Sequence, residues 1–121
     1  ENVKVVLVDF HAEATSEKVA MGWYLDGRVS GVVGTHTHIP TADERVLPGG
    51  TAHISDVGMT GCYNSVIGME TSGVLKRFVK RVPERFEVAA GPASVCGVVI
   101  DIDETTGTSR GIARVRADEK G

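Results

Sequence analysis

This 121-residue sequence has no large excess of positive or negative charge and no long apolar run. Lys and Arg number 13 against 16 Asp and Glu, and this near balance excludes a strongly basic nucleic-acid-binding module. The longest apolar runs, such as residues 5–8 and 98–100, fall far short of the roughly 20 residues that span a bilayer. We therefore expect no membrane span and no strong nucleic-acid partner.

Cysteine is also scarce, which bears on the compartment. Cys62 and Cys96 lie too far apart for a CxxC motif, and two cysteines do not form a disulfide framework. No basic segment followed by an apolar one marks a secretory signal. These features predict a reduced, cytoplasmic environment.

Aromatic residues make up only 5% of the chain, whereas glycine is abundant at 15 residues. Many glycines indicate many tight turns, and few aromatics indicate a core built from Val, Ile, Leu and Ala. This composition favours a valine-rich sheet.

The first part of the chain has a strand–helix–strand pattern. Residues 3–10 form a β-branched run that is typical of a strand buried on both faces. Residues 14–26 then predict a helix, with Thr15 or Ser16 as its N-cap, and residues 29–33 begin a second strand. The predicted apolar stripe of this helix is Val19, Ala20 and Trp23. Such a βαβ unit pairs its strands in parallel, so both strands end at the same edge of the sheet.

The remainder predicts further strands and one more helix. Residues 51–57 alternate as a third strand, and residues 71–82 form an amphipathic helix with a basic outer face, ended by Pro83. Three later segments have strand character: 86–90, 93–103 and 109–117. The last two are separated by turn residues and predict a C-terminal β-hairpin. We expect one α/β domain over residues 1–121.

Three of the four histidines follow the first two predicted strands. His11 comes directly after the first strand, and His36 and His38 lie in the sequence GTHTH after the second. In extended backbone, residues two apart point the same way, so the HxH pair offers two nitrogens on one side. Imidazole is a common ligand for zinc and iron, and open α/β sheets bind ligands at the carboxyl ends of their strands. The competing interpretation is that these are partly exposed loop histidines.

The other candidates at this edge have structural interpretations of equal or greater weight. Asp9 and Glu13 flank His11 and could orient its imidazole, or they could simply end a strand and begin a helix. Asp56 could reach the same edge, although a turn or cap role is favoured. His53 lies inside the third predicted strand and is expected to be a structural or surface histidine.

Other kinds of chemistry have no support in the sequence. Ser65 and Cys62 lack a nearby base, so a serine or cysteine nucleophile is not indicated. Neither a Walker A motif nor GxGxxG is present, which removes the common nucleotide-binding signatures.

Three segments, DFHAEATSEK, GTHTH and ISDVGMTG, stand in this order at residues 9–18, 34–38 and 54–61. In this combination the chain resembles the second half of the YmdB-type, calcineurin-like metallophosphoesterases, from Val3 to about Val115. The resemblance implies a partial metallophosphoesterase sandwich, in which a βαβ unit is followed by mixed strands, an amphipathic helix and the terminal hairpin.

The same resemblance implies a metal-dependent phosphodiesterase acting on small phosphodiesters such as 2′,3′-cyclic nucleotides. It implies that His11 and His36 bind one metal ion and His38 a second, the metals being iron or manganese. The family's remaining ligands and its acid lie in an earlier half, and this chain has no Asn-His pair. We therefore expect the chain to be the second half of a domain, without a catalytic residue of its own, inactive alone and prone to self-association as a homo-oligomer.

Three other interpretations stay open. One is a non-catalytic metal-binding or regulatory module, which would bind metal without turnover. Another is a related phosphatase-like domain of the kind tied to capsule polymer synthesis. In the third, the domain is purely structural and its histidines are incidental.

Overall fold

A computed structural model describes residues 3–119, within which the chain forms a mixed α/β fold of two helices and two sheets. The elements are, in chain order, β1 (Leu7–His11), α1 (Thr15–Leu25), β2 (Gly31–Thr35), β3 (Arg45–Val46), β4 (Ala52–Ile54), β5 (Thr60–Gly61), α2 (Thr71–Lys80), β6 (Ser94–Ile102) and β7 (Ser109–Asp118). Neither helix is long and apolar enough to cross a membrane.

The first sheet has the strand order β1-β2-β4-β3. β1, β2 and β4 are parallel, and β3 adds an antiparallel edge beside β4. The predicted βαβ unit is therefore confirmed, since β1 and β2 pair in parallel with Leu7 opposite Gly31 and His11 opposite Thr35. All three parallel strands end at the same edge of the sheet.

The second sheet is antiparallel, with the order β5-β6-β7, and its long β6–β7 pair confirms the predicted C-terminal hairpin. β7 contacts β3 and β4, so the two sheets pack together, and α1 packs against β2. The Ser109 hydroxyl of β7 donates to the Ser30 carbonyl at 2.6 Å, which ties the sheets at the amino end of β2. The buried apolar side chains are Val32, Leu47, Ala52, Ile54 and Cys62.

The first strand is shorter and more exposed than its sequence predicts. It spans Leu7–His11 rather than 3–10, and the side chain of Leu7 is 59% exposed. The prediction of burial on both faces is wrong for the described residues, since Leu7, Asp9 and His11 are exposed and Val8 and Phe10 are only half-buried. Among these residues β1 also lies at the edge of the sheet, with β2 as its neighbour. An apolar run indicates that a strand favours burial but does not identify the segment that packs against it.

Helix α1 differs from its prediction in the cap and in the face it buries. Its N-cap is Ala14, which makes no side-chain cap hydrogen bond, so the expected Thr15 or Ser16 cap is wrong. The expected apolar stripe is also wrong, since Trp23 is 49% exposed and the buried residues of the helix are Lys18 and Gly22. Lys18 forms an ion pair with Asp56, and Gly22 packs closely against the ring of His53. These two contacts place Lys18 and Gly22 on the inner face of the helix.

Helix α2 begins at Thr71 as predicted but ends earlier than predicted. The helix spans Thr71–Lys80 rather than 71–82, and Arg81 terminates it in a left-handed conformation with a φ of 56°. The predicted strand at 86–90 is wrong, because this segment makes only a single bridge, between Val88 and Met69. Without a second neighbour, the apolar residues of this segment have no sheet to join.

Candidate functional site at the carboxyl edge

The parallel strands bring two of the three predicted histidines together. β1 ends at His11, which lies opposite Thr35 at the end of β2, and His36 follows directly. The Nε2 atom of His11 lies 3.1 Å from Nδ1 of His36. Their rings meet edge to face, with centroids 5.0 Å apart and an interplanar angle of 85°. Both side chains are exposed, so these nitrogens are open to a ligand from solvent.

A short chain of hydrogen bonds fixes the orientation of His11. The Thr35 hydroxyl donates to Oδ1 of Asp9 at 2.9 Å, and Nδ1 of His11 lies 3.0 Å from the same hydroxyl oxygen. Because that hydroxyl has only one proton, it accepts from the Nδ1–H of His11. The Nε2 lone pair of His11 then faces His36. Asp9 thus orients this imidazole through Thr35 rather than by direct contact, as a supporting residue does for a metal ligand.

His38 makes a separate contact. Its Nδ1 lies 2.7 Å from the carbonyl oxygen of Ile67, which can only accept, so Nδ1 carries the proton and Nε2 is the free acceptor. Ile67 itself has a φ of 47°, in the left-handed region where β-branched residues are rare. The segment before α2 therefore reaches the site through this carbonyl.

The imidazole pair fits part of a metal site. Two imidazole nitrogens 3.1 Å apart can both bind one ion at the usual metal–nitrogen distance of about 2.0–2.1 Å. Within residues 3–119, however, no group of three or more His, Cys, Asp and Glu side chains could hold a metal ion. The three-histidine metal site stays a prediction, for which His11 and His36 supply two converging nitrogens.

Backbone strain marks the turn that carries the HxH motif. His36 has a φ of 121° and His38 a φ of 68°, both in the region that favours glycine. Between them, the Thr37 N–H donates to Oδ2 of Asp56 at 2.8 Å. Strained non-glycine residues persist only where the surrounding structure holds them.

Asp56 lies at this edge as a buried structural residue, in line with the turn or cap role favoured from sequence. Its side chain is fully buried and forms an ion pair with Lys18, with Nζ and Oδ2 2.9 Å apart. Burial alone would raise the pKa of Asp56, but hydrogen bonds from Lys18 and from the backbone of Thr37 and Gly58 hold it below its ordinary value. Lys18 was missed by sequence reasoning, and its place in DFHAEATSEK was the available signal.

The last two candidates do not touch the histidine pair. Glu13 makes no side-chain hydrogen bond or ion pair with any of residues 3–119, so the structure gives it no orienting contact. His53 is buried beneath α1, and neither of its ring nitrogens has a hydrogen-bond partner in the described part of the chain. Burial lowers its pKa, an effect that the Asp43 carboxylate partly offsets. The structural assignment of His53 is consistent with this environment.

Solved structures share this architecture over nearly the whole chain. A hypothetical protein from Thermus thermophilus superposes with a TM-score of 0.91 at 45% identity, covering 99% of this chain and 47% of that one. A protein described as a novel phosphatase from Mycoplasma pneumoniae superposes with a TM-score of 0.89 at 41% identity, covering 96% and 42%. The fold is thus a mixed α/β fold that is shared with a protein described as a phosphatase.

The sequence profile described as YmdB-like protein matches residues 1–115. The chain belongs to the YmdB-like family. It is 57% identical over 110 residues to a Bacillus subtilis protein named 2′,3′-cyclic-nucleotide 2′-phosphodiesterase, covering 91% of this chain and 42% of that protein. A Mycoplasma pneumoniae protein named putative phosphatase/phosphodiesterase is 46% identical over 101 residues, covering 83% and 36%. The chain therefore spans well under half the length of these relatives.

Proposed function

We propose that this chain contributes His11, His36 and His38 to the metal site of a phosphodiesterase that hydrolyses small phosphodiesters such as 2′,3′-cyclic nucleotides. The observation that carries the proposal is the 3.1 Å approach of the His11 and His36 nitrogens at the carboxyl edge. The name of the Bacillus subtilis relative supports the substrate class. Iron or manganese is the metal we propose.

The residues of this chain would have distinct roles in that site. His11 and His36 bind one ion together, with His11 held in the required tautomer by Thr35 and Asp9. His38 offers its Nε2 to a second ion, because its Nδ1 is occupied by the Ile67 carbonyl. A bound divalent ion supplies positive charge that polarises a phosphate ester and activates water. The remaining ligands and the acid for the leaving group come from chain outside these 121 residues.

The test is manganese-dependent hydrolysis of 2′,3′-cyclic AMP by the native protein, in which this chain is joined to whatever sequence adjoins it naturally. We expect His36→Gln to lower kcat/KM by about 100-fold or more, beyond the effect usual for a residue that only supports a ligand. Glu104→Gln, in the exposed turn between β6 and β7, is the matched control and should retain full activity. Unchanged turnover by His36→Gln would refute the proposal.

A second candidate is a non-catalytic metal-binding module. The observation that favours it is that residues 3–119 hold two converging imidazoles without a third ligand close enough to complete a site. Such a module would bind manganese with a Kd of about 1 μM or weaker and hydrolyse no phosphoester. Calorimetric binding without turnover by the native protein would select this candidate over the phosphodiesterase.

A further inference from the structure

The turn at residues 35–38 is held from below by a buried carboxylate. Both oxygens of Asp56 accept backbone hydrogen bonds, Oδ2 from the Thr37 N–H at 2.8 Å and Oδ1 from the Gly58 N–H at 2.9 Å. Thr37 lies between the two strained histidines, so this bond fixes the one residue to which both are attached. The conformation that directs Nδ1 of His36 at His11 is thereby tied to Asp56.

Lys18 of α1 completes the arrangement. Its ammonium lies 2.9 Å from Oδ2 of Asp56, and the two side chains are 2% and 1% exposed. The lysine stem passes over the end of β2 at Gly34, where a Cβ would lie 3.1 Å from Cδ of Lys18. The pair therefore links α1, β2 and the end of β4 at the edge where the histidines converge.

Burial of this pair is not explained by stability alone. Taking two charges out of water is costly, and well-packed apolar residues of similar volume often serve stability as well or better. The pair is instead suited to specificity, since a charged acceptor holds the Thr37 N–H more strongly and directionally than a neutral one.

We infer that Lys18 and Asp56 are positioning residues that hold the 35–38 turn in its strained conformation and thereby set the metal affinity of the His11–His36 pair. This inference rests on the proposed metal site. Neither residue binds the ion, because both are buried beneath the turn and satisfied by each other and by backbone donors.

The experiment measures manganese binding by calorimetry and urea unfolding of the metal-free native protein. The test variant is Lys18→Met with Asp56→Leu, which removes both charges together and leaves no buried charge uncompensated. The matched control is Asp26→Leu, because Asp26 also accepts two backbone N–H groups, from Gly49 and Thr51. That carboxylate lies after α1, at the opposite end of the sheet from the histidines.

We expect the double variant to bind manganese at least tenfold more weakly and the control to bind within twofold of wild type, whatever stability each has lost. If the double variant is folded and binds as wild type does, the inference is overturned while the proposed metal site stands. If wild type itself does not bind manganese, it is the proposed function that fails.

A backbone change covers the case in which the double variant does not fold. Replacement of the Thr37 amide by an ester, through incorporation of the α-hydroxy analogue of threonine, removes the N–H that donates to Asp56 without altering any side chain. The side chains of Asp56 and Lys18 stay in place. Manganese binding weakened tenfold supports the inference, and unchanged binding overturns it.

Discussion

The site region, residues 7–58, and the α2 segment, residues 64–90, are held in opposite ways. The site region contains every residue of the buried run 51–56 as well as the buried Lys18, which forms an ion pair with Asp56. Helix α2 has no buried residue, and its Phe78 is 82% exposed. The first sheet and α1 therefore position most of the site residues, whereas α2 carries apolar side chains, such as Phe78, that residues 3–119 leave largely exposed.

Few hydrogen bonds join the α2 segment to the rest of residues 3–119. The Ile67 carbonyl accepts from His38, and the Ser65 hydroxyl donates to the Cys62 carbonyl. Within the segment, Glu70 caps α2 by accepting from the Gly73 N–H at 3.1 Å. Lys76 and Glu84 form an exposed ion pair, which contributes little to stability in water. A destabilising substitution in the site region should therefore lower the free energy of unfolding of the whole chain, whereas one in α2 should affect the α2 segment alone.

The largest expected effect comes from Gly34→Ala in the site region. A Cβ at this position would lie 1.7 Å from the Ser55 carbonyl oxygen, so β2 and the end of β4 would have to separate. We expect a loss of about 3 kcal/mol or more in the free energy of unfolding by urea.

Gly111→Ala in β7 is the matched control for this change. A Cβ there would meet nothing within 4 Å, so the same chemical change should alter stability by about 1 kcal/mol or less. Equal losses in the two variants would show that the close approach at Gly34 does not constrain the site region.

The stability of the site region should also depend on pH through the buried His53. His53 is buried with its pKa lowered by burial, so the unfolded chain binds a proton more readily than the folded one. Stability should therefore be fully present above the unfolded value of about 6.5 and fall as the pH drops below it.

His53→Leu tests the assignment of this pH dependence. We expect similar or greater stability at pH 7, because an unpartnered buried imidazole is replaced by an apolar group. We also expect a shallower loss of stability as the pH falls below about 6.5. A pH dependence identical to that of wild type would assign the loss to other groups.

Some features of the fold and of the candidate site can be predicted from the sequence, and others cannot. The strand ends were predictable because the βαβ pattern brings His11 and the 36–38 motif to one edge regardless of side-chain detail. The role of Lys18 was not predictable, because helical periodicity assigns lysine to solvent and only its partner Asp56, distant in sequence, makes burial tolerable. The relay through Thr35 likewise depends on a register that periodicity does not determine.

The two exposed apolar segments, residues 3–10 and 86–90, were predicted least well, for a different reason. The apolar pattern of residues 3–10 and 86–90 is real, yet Leu7 and Val88 are 59% and 79% exposed. Such residues indicate that a segment favours burial. The apolar pattern is the same whether the segment packs against this chain, against adjoining sequence or against a second copy. The predicted homo-oligomer is one such cover and stays a prediction.

The smallest expected effect is that of Phe78→Ala in α2. Since this side chain is 82% exposed, its truncation should change the free energy of unfolding by no more than about 0.5 kcal/mol. Ile54→Ala, at a fully buried position in β4, is the counterpart and should cost about 2–5 kcal/mol. Urea unfolding at several protein concentrations measures both. A loss above about 1 kcal/mol for Phe78→Ala would mean that the native protein covers this face, and a dependence of that loss on concentration would identify the cover as a second copy rather than adjoining sequence.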